Sequence, residues 1–439
     1  MSSYVGSIKF HCETNRWWHV VEKKDSYKLA IDVGTSQISA RLLTCSNDSF
    51  SIFSIPNSLL KYGQEIVSLI RCSFNNAEKL RELTNSLRST INLLIQKTLD
   101  SHNISVEQIL RITVVGNTVM HHVLLGYSLD GLASFPYHPT ETRSIWTSGS
   151  QIGLETISDV QVFCPRIMEA FVGSDAISMI VSSKQNESKT KLLLDIGTNS
   201  EIVLKHEDSY LVTSAPSGPA FEGMSIKCGM AAQPGAITAV EIDESYKPNT
   251  LVLGRLLPSG ICGSGTISLL SEMLRTGIIN ENGSIQRNLD LPYLHEHNSI
   301  FSYTIVEKDD SATGERIYIS QPDIRMLQQS KAAIFGAIMT LFDRVDISPG
   351  DVNHLYLTGS FGANLDIESA TSIGLFPNLV QACHRKVGHG ALEGAGILSC
   401  LQDPDEEISE ICSRTEYVPL DSNPIFDQYY LQGHRFSEF

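Results

Sequence analysis

Two stretches of the chain pair a carboxylate with a tight glycine turn and a hydroxyl. The first is Leu29-Ala30-Ile31-Asp32-Val33-Gly34-Thr35-Ser36, and the second is Leu192-Leu193-Leu194-Asp195-Ile196-Gly197-Thr198-Asn199. In each, the Asp closes an apolar run, and a second strand-like run follows the Gly-Thr, Ile38–Leu43 and Ile202–Leu204. The pattern predicts two β-hairpins, each with a carboxylate at its mouth. Glycine lets the backbone approach a ligand closely, so such a turn offers N–H groups and a hydroxyl to a phosphate. The carboxylates of Asp32 and Asp195 are suited to holding the water shell of a Mg²⁺ that bridges those phosphates. A loop of this kind alone is equally an ordinary hairpin turn. Two copies predict two related domains closing on one nucleotide.

Further glycine loops fall in an order that suits such a clamp. Gly116-Asn117-Thr118 follows the apolar run Ile112–Val115, and Ser217-Gly218-Pro219-Ala220-Phe221-Glu222-Gly223 follows the second hairpin. Gly260-Ile261-Cys262-Gly263-Ser264-Gly265 opens a helical stretch, and Thr358-Gly359-Ser360-Phe361-Gly362 follows the strand Leu355–Leu357. A helix start presents unspent N–H groups and the positive end of its dipole, which can hold an anion or pack against an adenine. Each is also an ordinary strand-to-helix turn when taken singly. The chain has no G-x₄-G-K-[S/T], so a P-loop enzyme is excluded.

The elements that must position these loops are legible from periodicity and punctuation. Two or three strands are expected from Tyr27 to about Phe53. A long helix is expected over Ala77–Leu99, where Leu80, Leu83, Leu87, Ile91, Leu94 and Ile95 fall near helical spacing. Phe135-Pro136-Tyr137-His138-Pro139 reads as an extended connection. The polar run Lys184–Lys191 marks a domain boundary. Ser302–Val306 and Arg316–Ser320 read as a surface hairpin, Asp323 as the N-cap of a helix to about Val345, and Gly390–Leu401 as a last helix before an acidic tail.

Composition narrows the function class. A chain of 439 residues, 42% hydrophobic and 19% charged, has the make-up of a soluble enzyme of two or three domains. A formal net charge of −16 argues against nucleic acid as a partner. No run approaches the length of a membrane span, and Met1–Asp25 has no apolar core of a signal peptide, so the expected location is cytoplasmic. The nine cysteines contain no C-x₂-C, so neither a ferredoxin-type cluster nor a structural zinc site is expected within the chain. A cluster shared across a homodimer interface by lone cysteines stays open. The adjacent His121 and His122 have no carboxylate or cysteine at ligand spacing, which favours a structural role over a metal site.

These motifs together resemble the ATPase superfamily of actin, hexokinase and the heat-shock chaperones, the ASKHA or ribonuclease H-like α/β fold of two domains. Within it, the chain from about Tyr27 onward resembles the ATPase part of the reductive activators of corrinoid-dependent methyltransferases. The matching stretches include Val115–His122, Leu194–Leu204, Gly218–Gly223, Gly260–Gly265, Gly359–Leu365, Ile373–Pro377 and Phe426–Phe436. The resemblance implies a polar appendage over 1–26, a first subdomain over 27–190, a second over 191–401 and a family tail over 402–439. It implies catalytic and Mg²⁺-associated roles for Asp32 and Asp195. It assigns nucleotide contacts to Gly34, Thr35, Ser36, Gly197, Thr198, Asn199, Gly218, Glu222, Gly263, Ser264, Gly265, Gly359, Ser360, Phe361 and Gly362. Lys331, in Gln328-Gln329-Ser330-Lys331-Ala332-Ala333, is either a solvated lysine or an adenosine contact.

The implied function is ATP-dependent reductive activation of a Co(II)-corrinoid protein. The family's usual iron–sulfur domain is not expected here, because residues 1–26 are short and hold one cysteine. A separate ferredoxin or other low-potential donor would then supply the electron. The absence of a base-off cobalamin signature implies that the corrinoid arrives on a partner protein. Gln37 stands where the family prefers a hydroxyl, and Glu65 and His389 replace an expected Asp and Asn. Two rival readings remain open: a small-molecule kinase of the same superfamily, and a nucleotide-binding regulator with a degenerate first loop.

Overall fold

The computed structural model describes residues 7–11, 17–21, 26–44, 49–184, 189–379 and 382–437. Most of the expected N-terminal appendage lies outside these residues; within it, Ser7–His11 and Trp17–Val21 pair as an antiparallel hairpin. The chain forms two compact units. One comprises residues 1–187, 208–210 and 389–417, and the other 188–207, 211–388 and 418–439.

The first unit is built on a six-stranded sheet in the order Ser49–Pro56, Gln37–Thr44, Tyr27–Val33, Ile109–Gly116, Gln161–Cys164, Ile145–Ser148. Tyr27–Val33 runs antiparallel to Gln37–Thr44 and parallel to Ile109–Gly116. Alternate residues of the central strand supply two different cores, as strand geometry requires. Leu29 and Ile31 pack with Leu83, Leu87, Ile91, Leu94 and Ile95 of the helix Ala77–His102. Ala30 packs on the other face with Ala391, Leu392 and Ala395 of the helix Gly390–Cys400. That helix also lies close against the helix Ser174–Ser183: a Cβ on Gly394 would stand 1.8 Å from the Ser178 carbonyl oxygen. This packing is why residues 389–417 group with the first unit, although linear order would run the second subdomain on to residue 401.

The second unit repeats the plan. Thr190–Asp195 runs antiparallel to Ser200–His206, which is followed across the sheet by Ser209–Ala215, and parallel to His354–Thr358, with Cys383–Lys386 at the edge. The helices Gln321–Arg344 and Gly263–Arg275 share its core through Ile267, Leu270, Ile334 and Ile338, which meet Leu192 and Leu194 of the sheet. Two small three-stranded sheets complete it, one centred on Ala236–Ile242 and one on Ile300–Val306.

Local chemistry explains where elements differ from expectation. The helix at Asp323 begins earlier, with Ser320 as N-cap. Asp323 sits three residues in, its Oδ2 accepting from the Ser320 N–H (2.9 Å) and hydroxyl (2.5 Å), as a capping box demands. The expected surface hairpin is the pair Ile300–Val306 and Ile317–Ser320, extended by the unforeseen strand Leu294–His297. The acidic tail folds into the helices Pro404–Ser413 and Pro424–Gln432, each entered by an Asp or Asn cap and a proline. Among the described residues no helix is long and apolar enough to cross a membrane.

Candidate nucleotide-binding loops

In the first unit, Asp32 stands near the end of Tyr27–Val33, opposite Ser39 on one side and Val115 on the other. The turn after it is too tight for a side chain at residue 34, where a Cβ would lie 2.7 Å from the Gln37 carbonyl oxygen. Two asparagines then fix the turn. Asn57, 1% exposed, donates its side-chain amide to the Gly34 carbonyl (2.8 Å) and its backbone N–H to the Ser36 carbonyl (2.9 Å). Asn117, the N-cap of the helix Thr118–Leu125, donates its amide to Thr35 Oγ1 at 3.2 Å. Because Thr35 accepts that bond, its own O–H is left to donate, which is the polarity a phosphate oxygen needs. Gly116 lets these strand ends approach, since a Cβ there would meet the Val33 carbonyl oxygen at 2.7 Å. Ser36 is half-buried in the turn and Gln37 is exposed.

In the second unit, Asp195 and Thr358 are partners at the ends of two parallel strands. The Asp195 carboxyl is pushed up to about 6 by burial. A hydrogen bond from Thr358 opposes the shift and the charge of Glu222 adds to it. Gly359, directly after Thr358, has φ +77°, and a Cβ there would lie 2.3 Å from Asp195 Oδ1. Only glycine suits this position, for its backbone and for the space it leaves beside the carboxylate. The Thr198 hydroxyl donates to Glu222 Oε2 at 2.6 Å, so the threonine of this loop orients a second carboxylate, unlike Thr35. Ser217 Oγ donates to the Gly197 carbonyl (2.9 Å), and the Gly218 N–H to the Thr198 carbonyl (2.8 Å), tying the Gly218–Gly223 turn to the Asp195 loop.

The glycine-rich helix start is equally close-packed. A Cβ on Gly263 would lie 1.8 Å from the Phe221 carbonyl oxygen and 2.7 Å from Phe361 Cε2. The Phe221 and Phe361 rings stack there with centroids 5.4 Å apart. Among the described residues no side chain caps the helix Gly263–Arg275, so its N-terminal amides over Gly263, Ser264 and Gly265 are not satisfied by a capping residue there. Gly359–Gly362 is not an open loop but the first residues of the short helix Gly359–Asn364.

The structure thus brings Asp195, Gly197, Thr198, Asn199, Gly218, Glu222, Gly263 and Gly359 into one network of touching or bonded segments, with Phe361 serving as a packing residue, 8% exposed. Asp32, Gly34, Thr35 and Ser36 form a second loop in the first unit. Lys331 is corrected on its solvated reading. It is fully buried, its ammonium donating to the Gly374 carbonyl at 2.9 Å and lying 5.8 Å from the ring centroids of Phe335 and Phe436. It is not solvated. Burial pushes its ammonium down to about 7.

His121 and His122 are both buried. His122 Nδ1 lies 2.8 Å from the Thr118 carbonyl while Nε2 accepts from the Thr140 N–H (3.0 Å). That pairing requires the neutral Nδ1–H tautomer. Burial holds His121 down at about 3. Among the described residues no group of three or more His, Cys, Asp or Glu could hold a metal ion. The residues that sequence reasoning missed are Asn57 and the bracing role of Asn117. Asn57 carried only the weak signal of a turn after Pro56, and the loop it braces is distant in sequence.

The profile of the RACo middle region matches residues 27–188, and that of the C-terminal domain of RACo, the ASKHA domain, matches residues 189–438. The chain is 26% identical over 425 residues to the corrinoid activation enzyme RamQ of Eubacterium limosum, covering 95% of this chain and 71% of that protein. It is 25% identical over 312 residues to a Co(II) methylated amine-specific corrinoid protein reductase of Methanosarcina barkeri, covering 65% of this chain and 54% of that one. A solved structure of a reductive activator for corrinoid, iron-sulfur protein superposes with a TM-score of 0.86 at 29% identity, over 94% of this chain and 67% of the other. The chain therefore belongs to the RACo family, carrying its middle region and its C-terminal ASKHA domain.

Proposed function

We propose that this protein is the ATPase component of a reductive activator that returns an inactive Co(II)-corrinoid protein of a methyltransferase system to its active state. The observation that carries the ATPase part is Asp195: a desolvated carboxylate at the ends of two parallel strands, with Glu222 beside it and the side-chain-free Gly359 directly against it. A half-buried, desolvated carboxylate with a second one beside it favours the arrival of a cation. Mg²⁺ is characteristically bound through one or two carboxylates plus phosphate oxygens and water rather than by an all-protein cage. The residues present fit that mode. When bound, the ion would neutralise charge on the phosphates. Asp195 would orient its water shell, Thr198 would hold Glu222 in place, and the N–H groups of the Gly197 and Gly263 segments would face the phosphates. In the first unit, Asp32 offers a carboxylate for metal-bound water as Asp195 does, and Thr35 adds a hydroxyl for a phosphate oxygen, whereas the Thr198 hydroxyl is given to Glu222.

The corrinoid part is supported by the similarity of nearly the whole chain to the activating proteins named above. Hydrolysis contributes only if the ATP-bound and product-bound forms differ in affinity for the Co(II) protein, because a ligand with no differential binding shifts no equilibrium. The electron comes from a separate low-potential donor on this reading, since the cysteines lack cluster spacing. The test is ATP turnover by the purified protein with and without a cognate Co(II)-corrinoid protein. Stimulation supports the reading; turnover that ignores the corrinoid protein overturns it.

A further inference from the structure

Against the helix Gln321–Arg344 lies a cavity of about 180 Å³, lined by Asn282, Arg325, Gln328, Gln329, His434 and Arg435. It is separate from the nucleotide loops. Ser330 Oγ lies 3.9 Å from where a Cβ on Gly218 would be. Gln328 leaves the same helix on nearly the opposite side, as helical spacing requires of residues two apart. The pocket is braced by Gln328, itself 3% exposed. Its Nε2 donates to the Asn282 carbonyl (3.2 Å) and the His434 carbonyl (2.6 Å), and its Oε1 accepts from Arg325 Nη1 (2.5 Å). Helix, loop and C-terminal segment are thereby locked together. Gly283, at φ +70°, passes directly over this amide, and a Cβ there would lie 2.5 Å from it.

The walls gather positive charge in a chain of net charge −16. Arg325 spends Nη1 on Asn282 and Gln328 and one Nη2 hydrogen on Ser284 (2.9 Å). A guanidinium carries five N–H donors, so its Nε–H and second Nη2–H are unspent among the described residues. Arg435 pairs with Glu281 through Nη2, leaving Nη1 and Nε unspent among the described residues. The His434 ring, set edge-on to Tyr430, and the exposed Gln329 amide add further polar atoms. His434 is held below the usual histidine range by burial first, then by the charges of Lys331 and Arg325. Among the described residues, Glu281 is the acidic group that pairs with the cavity lining.

We propose that this pocket is an oxyanion site that takes the phosphate or carboxylate group of a small molecule between Arg325 and Arg435. Planar guanidinium groups pair with such oxyanions in two-point geometry. The volume is below the ~300–1,000 Å³ of pockets for drug-sized ligands, so a nucleotide does not fit whereas an inorganic phosphate or malonate does.

The test titrates the full chain with inorganic phosphate and, separately, with malonate, following the His434 imidazole resonance by NMR, assigned with His434→Gln. A shift of that resonance is expected with at least one anion. Phosphate alone, malonate alone or both then identify the source. Affinity should fall about tenfold or more in Arg435→Gln and in Arg325→Gln, the loss expected when one charged hydrogen-bonding partner is removed. The Arg435 side chain is exposed, so its variant keeps the fold and decides the question if Arg325→Gln does not. No shift with either anion, or an undiminished shift in Arg435→Gln, would overturn the site.

Discussion

Asp195 owes its character to three neighbouring influences: burial and Glu222 raise its proton affinity, and Thr358 opposes them. A carboxyl at about 6 is ionised at neutral pH and becomes protonated as the pH falls through that value. ATP turnover at limiting substrate should therefore fall below about pH 6, the dependence reporting the free enzyme. A flat profile between pH 5 and 7 would show that Asp195 is not required in its charged form. Asp195→Ala and Asp32→Ala should each lower turnover by about 10²-fold or more, the scale of lost phosphate or metal positioning. Gly359→Ala combines a strained backbone with a methyl group pressed on Asp195 Oδ1. It should abolish nucleotide binding, read by calorimetry, while circular dichroism stays native. Asn57→Ala removes one bond to the Gly34 carbonyl and should raise the KM for ATP more than it lowers kcat.

At the scale of elements, Lys331 places a cation inside the helix Gln321–Arg344. Its proton affinity in the folded protein (about 7) is below the unfolded value of 10.5, so the unfolded chain binds more protons between those limits. The resulting loss of stability is absent above the unfolded value, grows as pH falls, and is complete below about 7. Lys331→Met should remove that dependence: thermal melts at pH 6 and pH 9 should differ less in the variant than in the parent protein. An unchanged difference would mean the ammonium is not the titrating group. This burial was not legible in the sequence, because Phe436 reaches Lys331 from a distant part of the chain to join Phe335 of its own helix. The hairpins around Asp32 and Asp195 were legible, since apolar runs, carboxylate and glycine turn are all local. The long helix over Ala77–His102 was legible for the same reason. The regrouping of Gly390–Cys400 with the first unit was not, because small residues such as Gly394 and Ala391 signal close packing without naming its partner.

The whole molecule contains two units of similar design, each ending a parallel strand pair in an acidic glycine turn. Membership of the RACo family gives the chain its relatives, and the loops give it a chemistry that ATP would engage. On this reading that chemistry drives corrinoid reactivation. The most direct measurement is the absorbance spectrum of a cognate Co(II)-corrinoid protein mixed with this chain and titanium(III) citrate as electron source. Conversion to Co(I), or to methyl-Co(III) when a methyl donor is present, should require ATP and should fail with Asp195→Ala. A spectrum that is unaltered by ATP, or that changes equally with Asp195→Ala, would contradict the account.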